Sequence, residues 1–257
     1  MWNPIIIKDR NISEEYFDKL VSDQIPAIII KDFYSKEQCA KVVNKIEKLE
    51  KTYFSKKQLE HIGPFLMSYA TKKKEYFDKS KEIQKIQSKI FEGIPNPLLK
   101  ISRVFTNAFP SFSVSLAKQS EGHYSPFVIR IHRKGKSIPI HKDNVQYEGK
   151  EYTVSQIDHQ FSCVLHLQES ESGGELKIYK NQWTKKDEKY RNIDFGYSSN
   201  VTSKEFCKLS GIENGDLVII SPNHYHEVTE ISGDTHRMTL GMFLGIFKKN
   251  TKIGVWA

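Results

Sequence analysis

The second half of the chain is a succession of short apolar segments, and this pattern restricts the fold more than any other feature. From about Phe112 onward the segments are rich in β-branched and aromatic residues, as β-strands are. They cover residues 128–132, 161–167, 175–179, 216–220, 226–231 and 238–247. Turn residues separate them, most clearly Gly173-Gly174 and Asn214-Gly215. Many short strands in a row are typical of a β-sandwich or a barrel.

The first third of the chain has the spacing of helices instead. Ser35 and Gln38 fit a capping box, and apolar residues follow at helical intervals. Helices are expected from Ser35 and over about 66–91, and strands over 5–7 and 27–30. The chain is therefore expected to be an α+β protein in which a mainly helical flank, about residues 1–110, precedes a β-rich core over about 111–250.

Two long intervals, 144–159 and 181–210, lack a strand pattern. Loops of that length in a compact domain often cover a functional site, so both are predicted to be lids. The 257 residues, of which 38% are hydrophobic, can fill a core and suit one large domain or two small ones.

Several classes of protein do not fit the sequence. No apolar run approaches the roughly 20 residues that a membrane span requires. The first residues have no basic region ahead of a long apolar stretch, so they do not form a secretion signal. Three widely separated cysteines argue against a disulfide framework or a zinc ribbon and favour a reducing compartment. A cytoplasmic protein without a membrane partner is expected.

The formal net charge is +8, and most of the excess lies in residues 1–104. Seven lysines crowd residues 72–89, with acidic residues interleaved among them. A basic patch of this kind can bind nucleic acid or another anionic surface. The favoured interpretation is the solvated face of a lysine-rich helix, because no aromatic residues alternate with arginines as a stacking groove would require.

Three polar side chains could hold a metal ion. His141 and Asp143 follow an apolar run, and residues two apart on a strand point to the same face. Far downstream, His226 lies at a strand start and supplies a third candidate ligand. Two imidazoles and one carboxylate on one face of an octahedron suit oxygen-activating ferrous iron. On its own a His-x-Asp motif is weak evidence, and a hydrogen-bonded loop pair is the competing interpretation.

An arginine in a strongly apolar strand strengthens the case for a site. Burying the guanidinium of Arg237 is costly unless it binds an anion, and a carboxylate can pair with it through two hydrogen bonds. Thr239, on the same strand face, could donate one more. The alternative is a structural ion pair of Arg237 with Asp216 or Asp234.

With these residues in place, the chain resembles the iron(II)/2-oxoglutarate-dependent oxygenases on the double-stranded β-helix (jelly-roll, cupin-like) fold. The matching elements occur in the family's order over about residues 130–245. They are His141-x-Asp143, Gly173-Gly-Glu-Leu176, Gly215-Asp-Leu-Val, His226-Glu-Val, and Arg237 with Thr239. The stretch that ends at Trp183 and the Arg-x-Thr strand are similar to a branch that acts on free amino acids, nucleotides or other small metabolites and includes iron halogenases.

The resemblance implies a single oxygenase domain over 1–257, with Fe(II) as the metal and 2-oxoglutarate and O2 as co-substrates. It implies that His141, Asp143 and His226 are the iron ligands, and that Arg237, helped by Thr239, holds the distal carboxylate of 2-oxoglutarate. Halogenases of this branch have a small residue in place of the carboxylate ligand, so that halide can bind the iron. Asp143 fills that position, which indicates a hydroxylase that attacks an unactivated C–H bond of a small molecule and releases succinate and CO2.

The remaining candidates are less constrained by the sequence. His132 and Arg130, on the strand that enters the metal site, could hold the C1 carboxylate of 2-oxoglutarate or the substrate. Asn144 and Trp183 could contact the substrate, although Trp183 could equally cover a sheet edge. His224 competes with His226 as a ligand. We prefer His226 because its side chain and that of Val228, two residues further along the strand, would both face inward, and because His226-Glu-Val matches the family. His224 is then expected to be a turn residue near the substrate or a structural residue.

Two further functions stay open. The basic composition would suit a protein or nucleic-acid oxygenase of the same superfamily, although a small-molecule substrate is favoured over nucleic acid. A non-enzymatic cupin-like protein could use the same cluster for structural zinc, but such a site has no need of a buried arginine receptor. The sequence gives neither the substrate nor the oligomeric state.

Overall fold

The computed structural model describes residues 2–8, 12–53, 60–192 and 195–257. Its α-helices are α1 (Glu14–Val21), α2 (Lys36–Tyr53), α3 (Lys73–Phe91), α4 (Pro97–Ala108) and α5 (Val145–Glu148). Its strands are β1 (Ile5–Ile7), β2 (Ala27–Ile30), β3 (His61–Ile62), β4 (Ser113–Leu116), β5 (Lys118–Gln119), β6 (Gly122–His123), β7 (Val128–His132), β8 (Ile138–His141), β9 (His159–Gln168), β10 (Leu176–Gln182), β11 (Phe206–Lys208), β12 (Leu217–Ile220), β13 (His224–Val228), β14 (Arg237–Phe247) and β15 (Lys252–Trp256). Short 3₁₀ turns occupy Leu66–Tyr69, Thr153–Gln156, Lys185–Tyr190, Ser199–Val201 and Lys248–Asn250.

Two sheets form the β-rich core, as in a jelly roll. The larger sheet has the order β1-β2-β12-β9-β14-β15-β4, and β7 pairs with the first half of β14 and with β3. The smaller sheet has the order β11-β10-β13-β8. The α+β double-stranded β-helix predicted from the sequence is confirmed.

Strand β14 is the centre of the larger sheet. It pairs along its length with β9, and on its other side with β7 and then β15. Its even-numbered residues, such as Met238 and Leu240, belong to the main apolar core together with Phe17 and Phe105 of the helical flank. Its odd-numbered residues face the smaller sheet, and this inner face carries the polar groups described below.

The predicted elements agree with the structure with a few differences. Strands β1, β2 and β7 have the predicted bounds, and the capping box forms: Gln38 N–H donates to Ser35 Oγ at 3.1 Å, and Ser35 N–H donates to the Gln38 side chain. Helix α4 was not predicted, because Pro95 and Pro97 follow the helix expected over about 66–91 and proline is common just beyond a helix end. Pro97 instead occupies the first turn, where its fixed φ is favourable and no N–H is needed.

The two predicted lids also contain regular structure. The interval 144–159 holds α5 and a 3₁₀ turn, and the interval 181–210 contributes β11 to the smaller sheet. Residues 193–194 lie outside the described residues. Helix α3 buries Tyr76, Phe77 and other apolar residues, whereas most of its lysines are exposed. This exposure is compatible with the solvated-face interpretation and does not test the anion-binding alternative. Among the described residues, no helix combines the length and apolarity needed to cross a membrane.

Candidate metal centre

The pairing of two strands in the smaller sheet brings the predicted ligands together. Strands β8 and β13 are antiparallel, and His141 lies directly opposite His226. Residues opposite each other in an antiparallel pair have neighbouring side chains, and the two imidazole centroids are 4.1 Å apart. Asp143 follows β8, where its N–H donates to Pro222 O at 2.8 Å. This bond fixes the chain just beyond the strand and turns the carboxylate toward the imidazoles.

The three side chains form a compact, buried cluster. One ligand atom from each of His141, Asp143 and His226 lies within 4.8 Å of the others, and all three residues are buried. The Nε2 atom of His226 is 3.6 Å from Asp143 Oδ2. These separations are those of groups arranged around a common point, as ligands of one metal ion are.

Backbone hydrogen bonds set the tautomer of both imidazoles. Nδ1 of His141 is 2.8 Å from Pro139 O, and Nδ1 of His226 is 2.8 Å from His224 O. A carbonyl can only accept, so each Nδ1 carries a proton and each Nε2 is the ring nitrogen left to bind a metal. Metal-binding histidines are usually oriented by such a bond from the second ring nitrogen. The residues present therefore fit a divalent metal.

The protonation of the cluster also suits a metal. Burial and the neighbouring His226 lower the pKa of His141 to about 3, so its imidazole is neutral at pH 7. Burial opposes ionisation of Asp143, but the contact with His226 and the nearby His141 lower its pKa to about 2. Metal ions bind neutral imidazoles and ionised carboxylates, and His141 and Asp143 are in these states at neutral pH.

A second polar group lies across the interior on the larger sheet. Arg237 starts β14 and faces His132 of β7, and Thr239 is level with Arg130 of β7 and His166 of β9. Arg237 and Thr239 are 4% and 2% exposed, which places a cation and a hydroxyl inside the jelly roll. The structure thus puts the predicted 2-oxoglutarate-binding residues on neighbouring strands of one inner face.

The expected structural partners of Arg237 are engaged elsewhere. Asp216 is paired with Lys31 at 2.6 Å, and Asp234 lies 3.5 Å from Lys134. The interpretation of Arg237 as a partner of either aspartate is therefore wrong. Its Nε atom lies 3.6 Å from Glu169 Oε2, which is too far for a hydrogen bond. Within the described residues the buried Nε of Arg237 has no hydrogen-bond partner, so this donor remains available to a ligand.

Arg130 and His132 are also placed toward the interior without acceptors. Among the described residues no carboxylate forms an ion pair with Arg130, whose guanidinium carbon lies 5.1 Å from the Phe65 ring centroid. His132 Nδ1 is buried without a hydrogen-bond partner in this part of the chain. Burial and the charges of Arg237 and Arg130 lower the pKa of His132 to about 4, so it is neutral. Gly241 gives Arg130 its space, because a Cβ there would lie 2.6 Å from Arg130 Nη1.

The two residues predicted to contact the substrate, Asn144 and Trp183, form hydrogen bonds to other protein groups. Asn144 caps α5: its Oδ1 accepts from Tyr147 N–H at 2.9 Å, and its Nδ2 donates to Asn223. Trp183 donates from Nε1 to Glu188 at 2.8 Å and stacks near Tyr147. These bonds give both residues a structural place at the rim of the site.

His224 is not a turn residue, because β13 begins with it. Its Nδ1 is 3.0 Å from Tyr179 O and its Nε2 is 2.8 Å from Asp23 Oδ1, so both ring nitrogens are engaged. The side chain is fully buried beside Trp2. These contacts separate His224 from the ligand cluster and agree with the preference for His226.

Several residues near the site were not singled out from the sequence. A polar cavity of about 150 Å³ borders Asp143 and is lined by Gln160, Gln182 and Asn223. Phe195 is 49% exposed, and its ring centroid is 5.5 Å from that of His141. None of these amides lies in a predicted strand, and nothing local distinguishes them or Phe195 from loop residues.

A jelly roll with a His-Asp-His cluster on one sheet and a buried arginine facing it on the other defines the iron(II)/2-oxoglutarate-dependent oxygenases. Fe(II) and 2-oxoglutarate are the cofactor and co-substrate of this class. The chain belongs to the family described as carrier-protein-independent halogenase WelO5, whose model matches residues 5–257. No curated protein matches the sequence significantly.

Solved structures share the fold at low sequence identity. An N-substituted L-amino acid dioxygenase from Burkholderia ambifaria AMMD has a TM-score of 0.62 and 14% identity, over 95% of this chain and 91% of that one. Its complex with alpha-KG gives a TM-score of 0.60 over 95% and 90% of the two chains, again at 14% identity. HygX from Streptomyces hygroscopicus, with nickel and 2-oxoglutarate bound, has a TM-score of 0.57 and 10% identity, over 93% of this chain and 88% of that one.

Proposed function

We propose that this protein is an iron(II)- and 2-oxoglutarate-dependent hydroxylase of a small metabolite. The observation that carries the choice of hydroxylation over halogenation is Asp143. Its carboxylate is buried, ionised and 3.6 Å from His226 Nε2, so a protein oxygen takes the position that a halide would need. The family is described as a halogenase, and the carboxylate at this position is what supports hydroxylation instead.

The proposed roles follow the two sheets. His141, Asp143 and His226 hold the metal through Nε2 atoms and a carboxylate oxygen. Arg237 and Thr239 hold the distal carboxylate of 2-oxoglutarate, because both are buried and Arg237 Nε has no hydrogen-bond partner among the described residues. When bound, iron and 2-oxoglutarate supply the oxidation of a C–H bond by O2, with succinate and CO2 as co-products. The chain supplies ligands, orientation and a space closed to water.

A small substrate fits the surroundings of the cluster. The polar cavity beside Asp143 holds about 150 Å³ and is lined by side-chain amides, a serine, a histidine and two aspartates, which offer both donors and acceptors. Such a cavity suits a compact polar molecule. Arg130 does not line it, but is a half-buried cation without a carboxylate partner among the described residues. The N-substituted amino acid dioxygenase among the similar structures supports the same substrate class.

The first test is an anaerobic titration of metal-free protein with Fe(II) and 2-oxoglutarate, followed by the visible charge-transfer band of the chelate. We expect the band in the wild type, its loss in His226→Ala, and its retention in His224→Ala. The latter is a matched control because it removes an imidazole two residues away on the same strand. Loss of the band in His224→Ala but not in His226→Ala would reverse the ligand assignment, and no band in the wild type would refute the oxygenase function.

A second test separates hydroxylation from halogenation. Free and N-substituted amino acids are screened with Fe(II), 2-oxoglutarate, O2 and chloride, and succinate and products are identified by mass spectrometry. The wild type should add oxygen even at high chloride concentration. Asp143→Gly should lose this activity, because it removes a ligand. A chlorinated product from the wild type would overturn the hydroxylase proposal and favour halogenation, the activity named by the family.

A further inference from the structure

Arg237, the buried arginine of the larger sheet, lies next to the carboxylate of Glu169. Glu169, just beyond β9, places Oε2 at 3.6 Å from Arg237 Nε, and no other carboxylate forms an ion pair with Arg237 in the described residues. The distance allows electrostatic attraction without a hydrogen bond. Glu169 thus offsets the charge of Arg237, while the Nε–H group of Arg237 has no hydrogen-bond partner among the described residues.

Glu169 is held in place independently of the arginine. Its Oε1 is 2.6 Å from His166 Nδ1, and its backbone N–H donates to Asn214 Oδ1 at 2.8 Å. Burial keeps His166 neutral by lowering its pKa, so His166 donates one hydrogen bond and adds no full charge. The carboxylate therefore keeps a fixed position and a full negative charge whether or not Arg237 binds a ligand.

The absence of a side chain at Gly174, in the Gly173-Gly174 motif, leaves room for the side chain of Arg237. Gly174 has φ +77°, and a Cβ there would lie 2.8 Å from Arg237 Cδ and 2.8 Å from Ile231 Cδ1. Any larger residue at this position would push the arginine shaft out of its place. The Gly173-Gly174 motif thus contacts Arg237, the candidate receptor for the 2-oxoglutarate carboxylate, directly.

We propose that Glu169 is a resident counter-ion that weakens the hold of Arg237 on 2-oxoglutarate, and that Gly174 fixes the position of Arg237. The inference rests on the proposed function, in which Arg237 receives the distal carboxylate. When that carboxylate binds, two negative charges share one buried cation, and their repulsion is only partly screened in the interior. Succinate carries the same distal carboxylate, so Glu169 also favours release of the co-product. Glu169 and Gly174 are positioning residues.

The charge is tested by Glu169→Gln, which keeps the side-chain size and an acceptor for His166. Glu171→Gln is the matched control, because Glu171 lies nearby, is exposed and contacts Thr235 rather than Arg237. The Kd for 2-oxoglutarate is measured from the anaerobic Fe(II) band, and the Kd for succinate by competition. We expect both ligands to bind about three- to tenfold more tightly to Glu169→Gln and equally to Glu171→Gln. Unchanged or weaker binding to Glu169→Gln would overturn the counter-ion role.

The space is tested by Gly174→Ala against Gly211→Ala. Both glycines have positive φ, +77° and +68°, so alanine strains the backbone similarly, but a Cβ at Gly211 would meet no atom within 4 Å. We expect a loss of 2-oxoglutarate affinity of about tenfold or more in Gly174→Ala only. Equal affinity in the two variants would refute the role of Gly174. A wild type that binds no 2-oxoglutarate would instead refute the proposed function, and with it this inference.

Discussion

At the residue scale, the second nitrogen of each imidazole decides its role. His141 and His226 give Nδ1 to a backbone carbonyl and keep Nε2 for a ligand, whereas His224 engages both nitrogens with Tyr179 and Asp23. The three histidines are all buried, so burial alone does not separate a candidate ligand from a structural side chain. The hydrogen-bond pattern does.

His132 gives the pH dependence of stability a defined sign. Its pKa is about 4 in the folded chain and about 6.5 in an unfolded one, so acidification protonates the unfolded chain first. The stability it contributes is complete above pH 6.5 and is lost as the pH falls toward 4. We expect the metal-free wild type to lose about 1–3 kcal/mol more than His132→Gln between pH 7.5 and 4.5, in urea titrations.

The control for this measurement is His123→Gln, which removes an exposed imidazole of the two-stranded sheet. It should have the pH dependence of the wild type. If the stability of His132→Gln also depends on pH as that of the wild type does, the imidazole of His132 does not contribute to the acid sensitivity of the fold.

The sequence indicated the residues of the candidate site whose chemistry is unusual for their local pattern. His141-x-Asp143 ends an apolar run, and Arg237 interrupts one, so each is visible without any tertiary information. Glu169 has no such signal. It is a glutamate in a turn, and its meaning depends on two non-local facts, the pairing of β9 with β14 and the passage of the Arg237 side chain over Gly174.

At the scale of elements, an ion-pair network joins the end of strand β8, which carries the candidate ligand His141, to the interval 181–210. Lys142 lies between His141 and Asp143 and points away from them, with Nζ 2.6 Å from Glu148 Oε1 of α5. Glu148 also accepts from Arg191, and Arg191 pairs with Glu188 of the 3₁₀ turn Lys185–Tyr190. The side chain of Lys142 is fully buried, so the network holds α5 and the 3₁₀ turn against the end of β8, where the candidate ligands His141 and Asp143 lie.

Breaking this network should be costly. We expect Lys142→Met to lower the free energy of unfolding by about 3–5 kcal/mol, because Glu148 is left with one fewer counter-charge in a buried place. Lys180→Met is the matched control. Lys180 pairs with Glu205 at 2.8 Å, but both are exposed, so its loss should cost under about 1 kcal/mol. The free energy of unfolding of the two variants is measured by chemical denaturation. Equal losses would show that burial does not make the Lys142 ion pair more stabilising than an exposed one.

Element prediction was successful where a hydrophobic period was long enough to read. The strands that became β7, β9, β12 and β14 have such patterns, and their positions follow from the sequence. Strand β11 has three residues and is defined only by its pairing with β10. The start of β13 at His224 was also missed, because the preceding Ser-Pro-Asn favours a turn and the pairing of His224 with Gln182 across a register shift is not a local property.

At the scale of the whole molecule, the helical flank and the jelly roll share one core. Phe17 of α1 packs on Phe105 of α4 and on Phe161 of β9, with centroid distances of 4.9 and 5.1 Å. Tyr76 of α3 is fully buried, donates to Ala257 O at 2.6 Å and accepts from Ser125 N–H. We propose that residues 1–257 unfold as one domain.

Tyr76→Phe tests this proposal. Removing the hydroxyl leaves a buried carbonyl and a buried N–H without a partner, so we expect a loss of about 1–3 kcal/mol. The variant and the wild type should each show one urea transition that is the same by far-UV circular dichroism and by tryptophan fluorescence. Two separate transitions, with only one shifted by the substitution, would show that flank and core are independent units.

The alternation along β14 has a consequence for how such a protein can acquire new substrates. Arg237, Thr239 and Gly241 face the interior, whereas Met238 and Leu240 between them lie in the apolar core. A single strand thus encodes recognition at its odd positions and folding at its even ones. Genetic drift at every second codon can reshape what the pocket accepts while the scaffold stays intact.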